Sequence, residues 1–354
     1  MKENDDHDND TRVNLDNSNI SRWRHFKPFF IFLFVHLITN VQFLRLSTKW
    51  HHVMEQVAKS KLDEYVDPYV KFKCNLATIL LLTFSFLEHL LSVMCPFLKL
   101  KRKCCLDLPD ILKILAVNQY PWIFTVVPYS HGAFIIVEIL TLIITMIWTY
   151  SHVLIICISL FLASILEQLN KKITSRENRF LPASYWRTIR EDYNRAIRLV
   201  RFFDDSINGI AFVTFGCSLF FVCGRLYEVL GKSVVYENSY EYKCLKEENW
   251  YGYEDFIYNL ISTLFVIIRA FLVSLLAAKI HSASLVVAPS LYNVPQSSFS
   301  TEIQRFLNQI HGTTVALTGL NFFYVTKESI LSMIGTVVTY ELVLLQFRRD
   351  DENK

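Results

Sequence analysis

The chain has 354 residues, 52% of them hydrophobic, and a formal net charge of only +3. The apolar residues come in long runs, which excludes a purely soluble core and points to a polytopic membrane protein. The basic residues are spread between those runs and form no footprint for nucleic acid, and the eight cysteines show no zinc-ligand spacing.

Residues 1–27 are polar and acid-rich, with Asp5, Asp6, Asp8, Asp10 and Asp16, and read as a disordered tail. No apolar segment follows a basic start there, so no secretory signal is visible. The first apolar run is Phe29–Leu46, short and aromatic-rich, followed by a polar linker through Lys73. The second span is Leu76–Phe97, and a basic loop follows over Lys99–Asp110. The third span starts near His131 and runs to about Leu166, long enough to project from a bilayer by several turns. Glu167–Asp205 is basic and helix-compatible; Ile207–Leu230 is the fourth span. An acidic, tyrosine-rich loop leads to the fifth span, Phe256–Ile280. Ser282–Ser300, with Pro289 and Pro295, reads as a connector, and Thr301–Tyr324 as an amphipathic-to-apolar helix. The closing span is Ser329–Phe347.

These make six spans in an all-α membrane protein. The positive-inside bias puts the Arg-rich loop after the third span in the cytoplasm and the C-terminus outside, with Lys99, Lys101, Arg102 and Lys103 as a dissenting outer cluster. Cys74, Cys157, Cys217 and Cys223 lie in or beside apolar runs and read as reduced packing residues, whereas a Cys105–Cys244 disulfide is open to the outer loops.

Ionisable residues inside spans are the functional candidates, because each costs roughly 2.5–3.5 kcal/mol to insert. Glu88, His89 and Glu138 fall in the outer half, His152 lies deeper, and Arg269 and Glu341 share a mid-membrane depth that suits a buried ion pair. Carboxylates can bridge adjacent hydroxyls of a polar ligand, and aromatic faces can cover the C–H side of a ring. Glu88, His89, Glu138, Tyr129, Tyr258 and Asn259 are the candidate ligand-binding residues; a structural Glu88–His89 pair and an interfacial tyrosine belt are the plainer alternative. In the closing span, Ser332, Gly335, Thr339 and Gln346 fall near one stripe, with Leu342 and Val343 between. Such a stripe fits a tight helix–helix contact or the lining of a water-filled pore. No G-x-S-x-G, H-E-x-x-H, P-loop or G-x-G-x-x-G motif is present, so a membrane enzyme has nothing beyond intramembrane histidines to support it.

Thr339-Tyr340, five residues, then Gln346-Phe347 resembles the TY-x5-QF signature of insect gustatory receptors. The wider run Leu320–Phe347, with Glu341 after the tyrosine, is similar to the sugar-receptor branch; so are Ser85–Val93 (SFLEHLLSV), Pro128–Gly132 (PYSHG) and Leu166–Asp205. Val41–Trp50 (VQFLRLSTKW) resembles the second span of that family, which has seven. The resemblance implies a sugar-gated cation channel in the plasma membrane. It further implies a tetramer of this chain or of this chain with other gustatory receptors, with the last helix lining the pore, no cofactor, and neither enzymatic nor nucleic-acid-binding activity. A non-conducting or regulatory subunit that needs a full-length partner is the alternative. On this reading residues 28–165 are outer ligand-binding helices, 166–206 a cytoplasmic anchor segment, 207–347 channel and anchor helices, and 348–354 a tail. The chain is also expected to be an N-terminally shortened product, with Asn9 and Asn19 as glycosylation acceptors that report the topology. One departure stands out. The branch tends to read W-N-F-x-D-L-F where this chain has Trp148-Thr149-Tyr150-Ser151-His152-Val153-Leu154.

Overall fold

The computed structural model describes residues 33–104, 107–176, 181–231, 253–295 and 299–352. The polar tail, both glycosylation acceptors, Cys105, Cys244 and the acidic loop lie outside them.

Helix α1 covers 33–60, so the stretch expected as a linker is largely helical; a 3-10 turn at Asp63–Tyr65 leads on to α2, Val70–Cys104. Two helices not anticipated follow, α3 (Leu108–Gln119) and α4 (Pro121–Phe124), each with a proline in its first turn, where the missing N–H costs nothing. α5 is His131–Thr174 and α6 Ala183–Gly231. At about 1.5 Å per residue they reach roughly 66 and 74 Å, about twice a bilayer core. α7 runs Tyr253–Leu285, and α8, Val287–Tyr292, occupies the expected connector. α9 is Thr301–Gly312; the rest of the expected helix is instead a hairpin, β1 (Thr318–Gly319) with β2 (Phe323–Tyr324). α10, Lys327–Glu352, closes the chain.

The hairpin replaces helix for a local reason. Leu320 and Asn321 have φ of 49° and 61°, and Phe322 N–H donates to Gly319 O at 2.9 Å, which makes a tight turn with both central residues left-handed. A Cβ on Gly319 would lie 2.4 Å from the Phe323 ring, so only glycine lets that ring close over the strand.

Helices α2, α5, α6 and α7 are long and apolar enough to cross a membrane. Their outward residues suit lipid: Ile79, Phe84, Ile136, Leu140, Leu264 and Ile268 are all exposed.

The contacts divide the chain into two compact units. The smaller takes in His89–Ile144 with the described parts of Met1–Ile38 and Tyr236–Tyr258. Its core gathers Leu100, Ile111, Ile114, Leu115, Ala116 and Phe134, and Gln119 Nε2 donates to Ser92 O at 3.0 Å. The larger is Thr39–Glu88, Thr145–Val235 and Asn259–Lys354. Its core runs along the long ends of α5 and α6, where Ile155, Leu162, Leu166, Leu169, Trp186 and Phe203 are buried with Ile303 and Phe306 of α9. Polar residues pin this core at fixed points. Asn170 Nδ2 donates to Ala283 O at 2.7 Å and Tyr193 OH to Ser284 O at 2.7 Å. The 3-10 turn is held by Tyr65 OH donating to Asp192 at 2.6 Å, with Lys172 Nζ 2.5 Å from the same oxygen. Burial, then the Asp192 carboxylate, push the Tyr65 phenol up, so it remains a neutral donor.

Candidate functional site

A seam of buried polar groups runs between membrane helices of the larger unit. On α2, Ser85 and Glu88 are three residues apart and share a face. On α7, Ser262 and Arg269 are two turns apart and share another. Ser262 Oγ donates to Glu88 Oε1 at 2.6 Å. Arg269 Nη1 donates to Thr149 Oγ1 at 3.2 Å, and that oxygen lies 2.8 Å from Ser85 Oγ and 3.0 Å from Thr145 O. Thr149 thus accepts from Arg269 and Ser85 and donates to its own helix, which uses all of its hydrogen-bonding capacity.

The rest of the guanidinium is held by π faces, 4.0 Å above Trp148 and 5.1 Å from Phe265. Deep in a membrane, a cation over a desolvated indole gains about 2 kcal/mol or more. One turn on from Trp148, His152 is fully buried, with Nδ1 3.0 Å from Trp148 O and Nε2 3.1 Å from Ser218 Oγ on α6. Arg269 Nε and Trp148 Nε1 are buried without a hydrogen bond.

Arg269 and Glu341 do not form the expected ion pair. Arg269 faces α5, whereas Glu341 sits on the opposite system, buried on α10 toward α6 with neither carboxylate oxygen hydrogen-bonded. Equal depth along two helices says nothing about which way each residue faces.

The other expected ligand-binding residues fall as follows. Glu88 accepts from Ser262. In the smaller unit, His89 Nε2 lies 3.7 Å from Glu138 Oε2. That carboxylate sits beside the Tyr120 phenol, with no hydrogen bond completed to either oxygen. Tyr129 OH is 2.9 Å from His131 Nδ1, and Tyr258 and Asn259 are half-buried in the first turns of α7. Ser85, Trp148, Thr149 and Ser262 were not on the expected list. Ser85 and Ser262 carried a signal as small hydroxyls at helical spacing from Glu88 and Arg269; Trp148 and Thr149, on α5, stood out only as part of the departing third-span stretch. Both departures noted in the third span, Thr149 and His152, are fully buried members of the seam.

On α10, buried Ile330 and Glu341, with half-buried Met333, Val337 and Leu344, form the face toward α6. Ser332, Gly335, Thr339, Leu342, Val343 and Gln346 are all exposed, as is Tyr340 of the TY-x5-QF motif; for Phe347 only the helical backbone is described. Ser332, Gly335, Thr336, Thr339, Tyr340 and Val343 line an open groove of about 570 Å³. A Cβ on Gly335 would meet nothing within 4 Å, so this stripe makes no tight helix contact within the described chain.

Comparison with known proteins points to one family. A family model described as trehalose receptor matches residues 23–354. Gustatory receptor 5a for trehalose of Drosophila melanogaster is 30% identical over 320 residues, 89% of this chain and 68% of that protein. The gustatory receptor for sugar taste 64f of the same fly is 28% identical over 322 residues, 89% of this chain and 65% of its own length. The chain therefore spans about two thirds of such relatives. Among solved structures, the olfactory receptor OR5 of Machilis hrabei, in complex with eugenol, shares the fold with a TM-score of 0.63 at 17% identity, over 89% of this chain and 79% of that one. A second structure of the same receptor gives a TM-score of 0.60.

Proposed function

This chain belongs to the trehalose receptor family, and on that premise we propose that it works as a sugar-gated cation channel. It is a gustatory receptor of the sugar-sensing branch and a multi-pass protein of the plasma membrane, not an enzyme. The conducting role is our reading, and one observation carries it: the bare small-residue face of α10. Hydroxyls and a glycine on an apolar helix gain nothing from lipid. They are accommodated when copies of the helix surround a column of water. In a tetramer of this chain, or of this chain with other gustatory receptors, Ser332, Gly335, Thr339 and Val343 would line that column. Gln346, roughly 16 Å beyond Gly335 by helix rise, would constrict its outer end through mutual amide hydrogen bonds.

The ligand we propose is a disaccharide such as trehalose, with Glu88, His89, Glu138, Tyr129, Tyr258 and Asn259 as its contact residues. Support for Glu88 is that Ser262 fixes its carboxylate in one orientation. The test is expression in a non-excitable cell, perfusion with trehalose and other disaccharides, and current recording. Sugar-evoked cation current is expected, and Gln346→Ala should alter leak or gating at unchanged surface density. Absence of current from the wild type, alone and with another gustatory receptor, would remove the channel reading.

A further inference from the structure

The hairpin between α9 and α10 is seated on one stripe of α6. Asp204 is buried and accepts two hydrogen bonds from one residue: Thr318 N–H to Oδ1 at 2.6 Å and Thr318 Oγ1–H to Oδ2 at 2.8 Å. One turn on, Asn208 O accepts from Leu320 N–H at 3.4 Å. A further turn on, the Phe212 ring is 5.7 Å from Phe322, and Phe215 is 6.3 Å from Phe323. Positions 204, 208, 212 and 215 fall on one helical face. The hairpin therefore lies along about 16 Å of α6.

The segment is stiff from that seat to the start of α10. Val325 N–H closes the ladder on Leu317 O at 2.8 Å. Thr326 and Ser329 then cap each other, Thr326 N–H to Ser329 Oγ at 2.9 Å and Ser329 N–H to Thr326 Oγ1 at 3.2 Å. This reciprocal cap fixes where α10 begins. The turn holds a leucine and an asparagine in the left-handed region, a conformation that persists only where the surroundings over-determine it. The Asp204 and Asn208 bonds supply that constraint. A carboxylate buried with a single threonine for company is a costly choice for packing alone.

We propose that Asp204 is the positioning residue through which α6 sets the start of α10, so that the hairpin transmits movement of α6 to the helix assigned to the pore. The coupling is local to this chain; its consequence for gating rests on the channel reading above.

Hydrogen exchange of the purified full-length chain in detergent tests the coupling without requiring conduction. Asp204→Ala and Thr318→Val are expected to speed exchange roughly tenfold or more, both in the hairpin, residues 317–325, and in the first turns of α10, while α9 stays as in the wild type. Asp204→Asn keeps an acceptor for the Thr318 N–H and is expected to restore most of the protection. Faster exchange confined to the hairpin, or spread equally over the whole chain, overturns the inference. Thr318→Val carries the test if Asp204→Ala does not fold, because it removes one hydroxyl at constant shape. In cells, Thr318→Val is expected to shift the trehalose dose response or the leak current at equal surface density; normal gating alongside loosened α10 exchange refutes the gating consequence. A silent wild type condemns the channel reading, and the exchange result still decides the coupling.

Discussion

Arg269 makes a sharp energetic prediction, because the groups that hold it are few and known. Its Thr149 bond is charge-assisted, about 1.5–3 kcal/mol, and its place over Trp148 contributes about 2 kcal/mol. Against these stands an insertion cost of roughly 2.5–3.5 kcal/mol for an intramembrane arginine. Replacing the arginine with an apolar residue of similar length removes both sides together, so Arg269→Met should destabilise by only about 1–2 kcal/mol. Thr149→Val is the harsher change. It leaves the guanidinium and the buried Ser85 hydroxyl without their acceptor, at a cost of about 3–5 kcal/mol. In the double variant the guanidinium is gone, so the Thr149→Val penalty should shrink by about 1.5–3 kcal/mol. Apparent melting temperatures of the four purified proteins measure this cycle. Two single shifts that simply add would refute the argument, since Arg269 would then gain nothing from Thr149. So would a cost for Arg269→Met as large as that for Thr149→Val.

Glu88→Gln and Glu138→Gln should each raise the half-effective sugar concentration about tenfold, the loss of one charge-assisted bond, with assembly unchanged; normal dose responses would strike both from the contact set. Arg269 and Glu341 belong to separate environments, so the Arg269→Glu, Glu341→Arg swap should be no better than the worse single variant, and recovery of surface expression by the swap would contradict the geometry. Gly319→Ala puts a methyl where the Phe323 ring lies, and should destabilise the chain by about 1–3 kcal/mol; Phe323→Ala in the same chain should relieve part of that loss, measured as melting temperature.

The membrane helices were legible in sequence because hydrophobic runs of sufficient length have few other fates. The overrun of the third span was legible for the same reason, and α5 extends even further, to Thr174. Within Leu166–Asp205, Asn170, Asp192, Tyr193 and Asp204 are buried polar residues, each with a specific partner that another residue type would lose. The hairpin was not legible, because its apolar strands read as more helix, and the one cue, Gly319-Leu320-Asn321, is weak until Phe323 is seen to cover the glycine. The α3–α4 segment was missed since it is short, and its apolar residues fill a local core without periodicity long enough to read. Candidate residues named singly were partly legible as intramembrane charges. Their partners were not, since Ser85, Thr149 and Ser262 gain meaning only from the helix opposite.

α10 differs from the other long helices in what its outer face carries. A helix buried in lipid or protein can be apolar on every face, and α2, α5, α6 and α7 meet the criteria of length and apolarity for crossing a membrane. α10 carries Ile330, Val337 and Leu344 on its inner face against α6. Its outer stripe holds Ser332, Gly335, Thr336, Thr339 and Gln346. On the proposed reading these are the residues that water would touch, while the apolar residues between them keep the run long enough to cross a bilayer. A helix facing lipid all round would need that stripe covered or replaced. Substituting Ser332, Thr336 and Thr339 together with valine should therefore deepen membrane insertion while abolishing current; retained current would show that water follows another face.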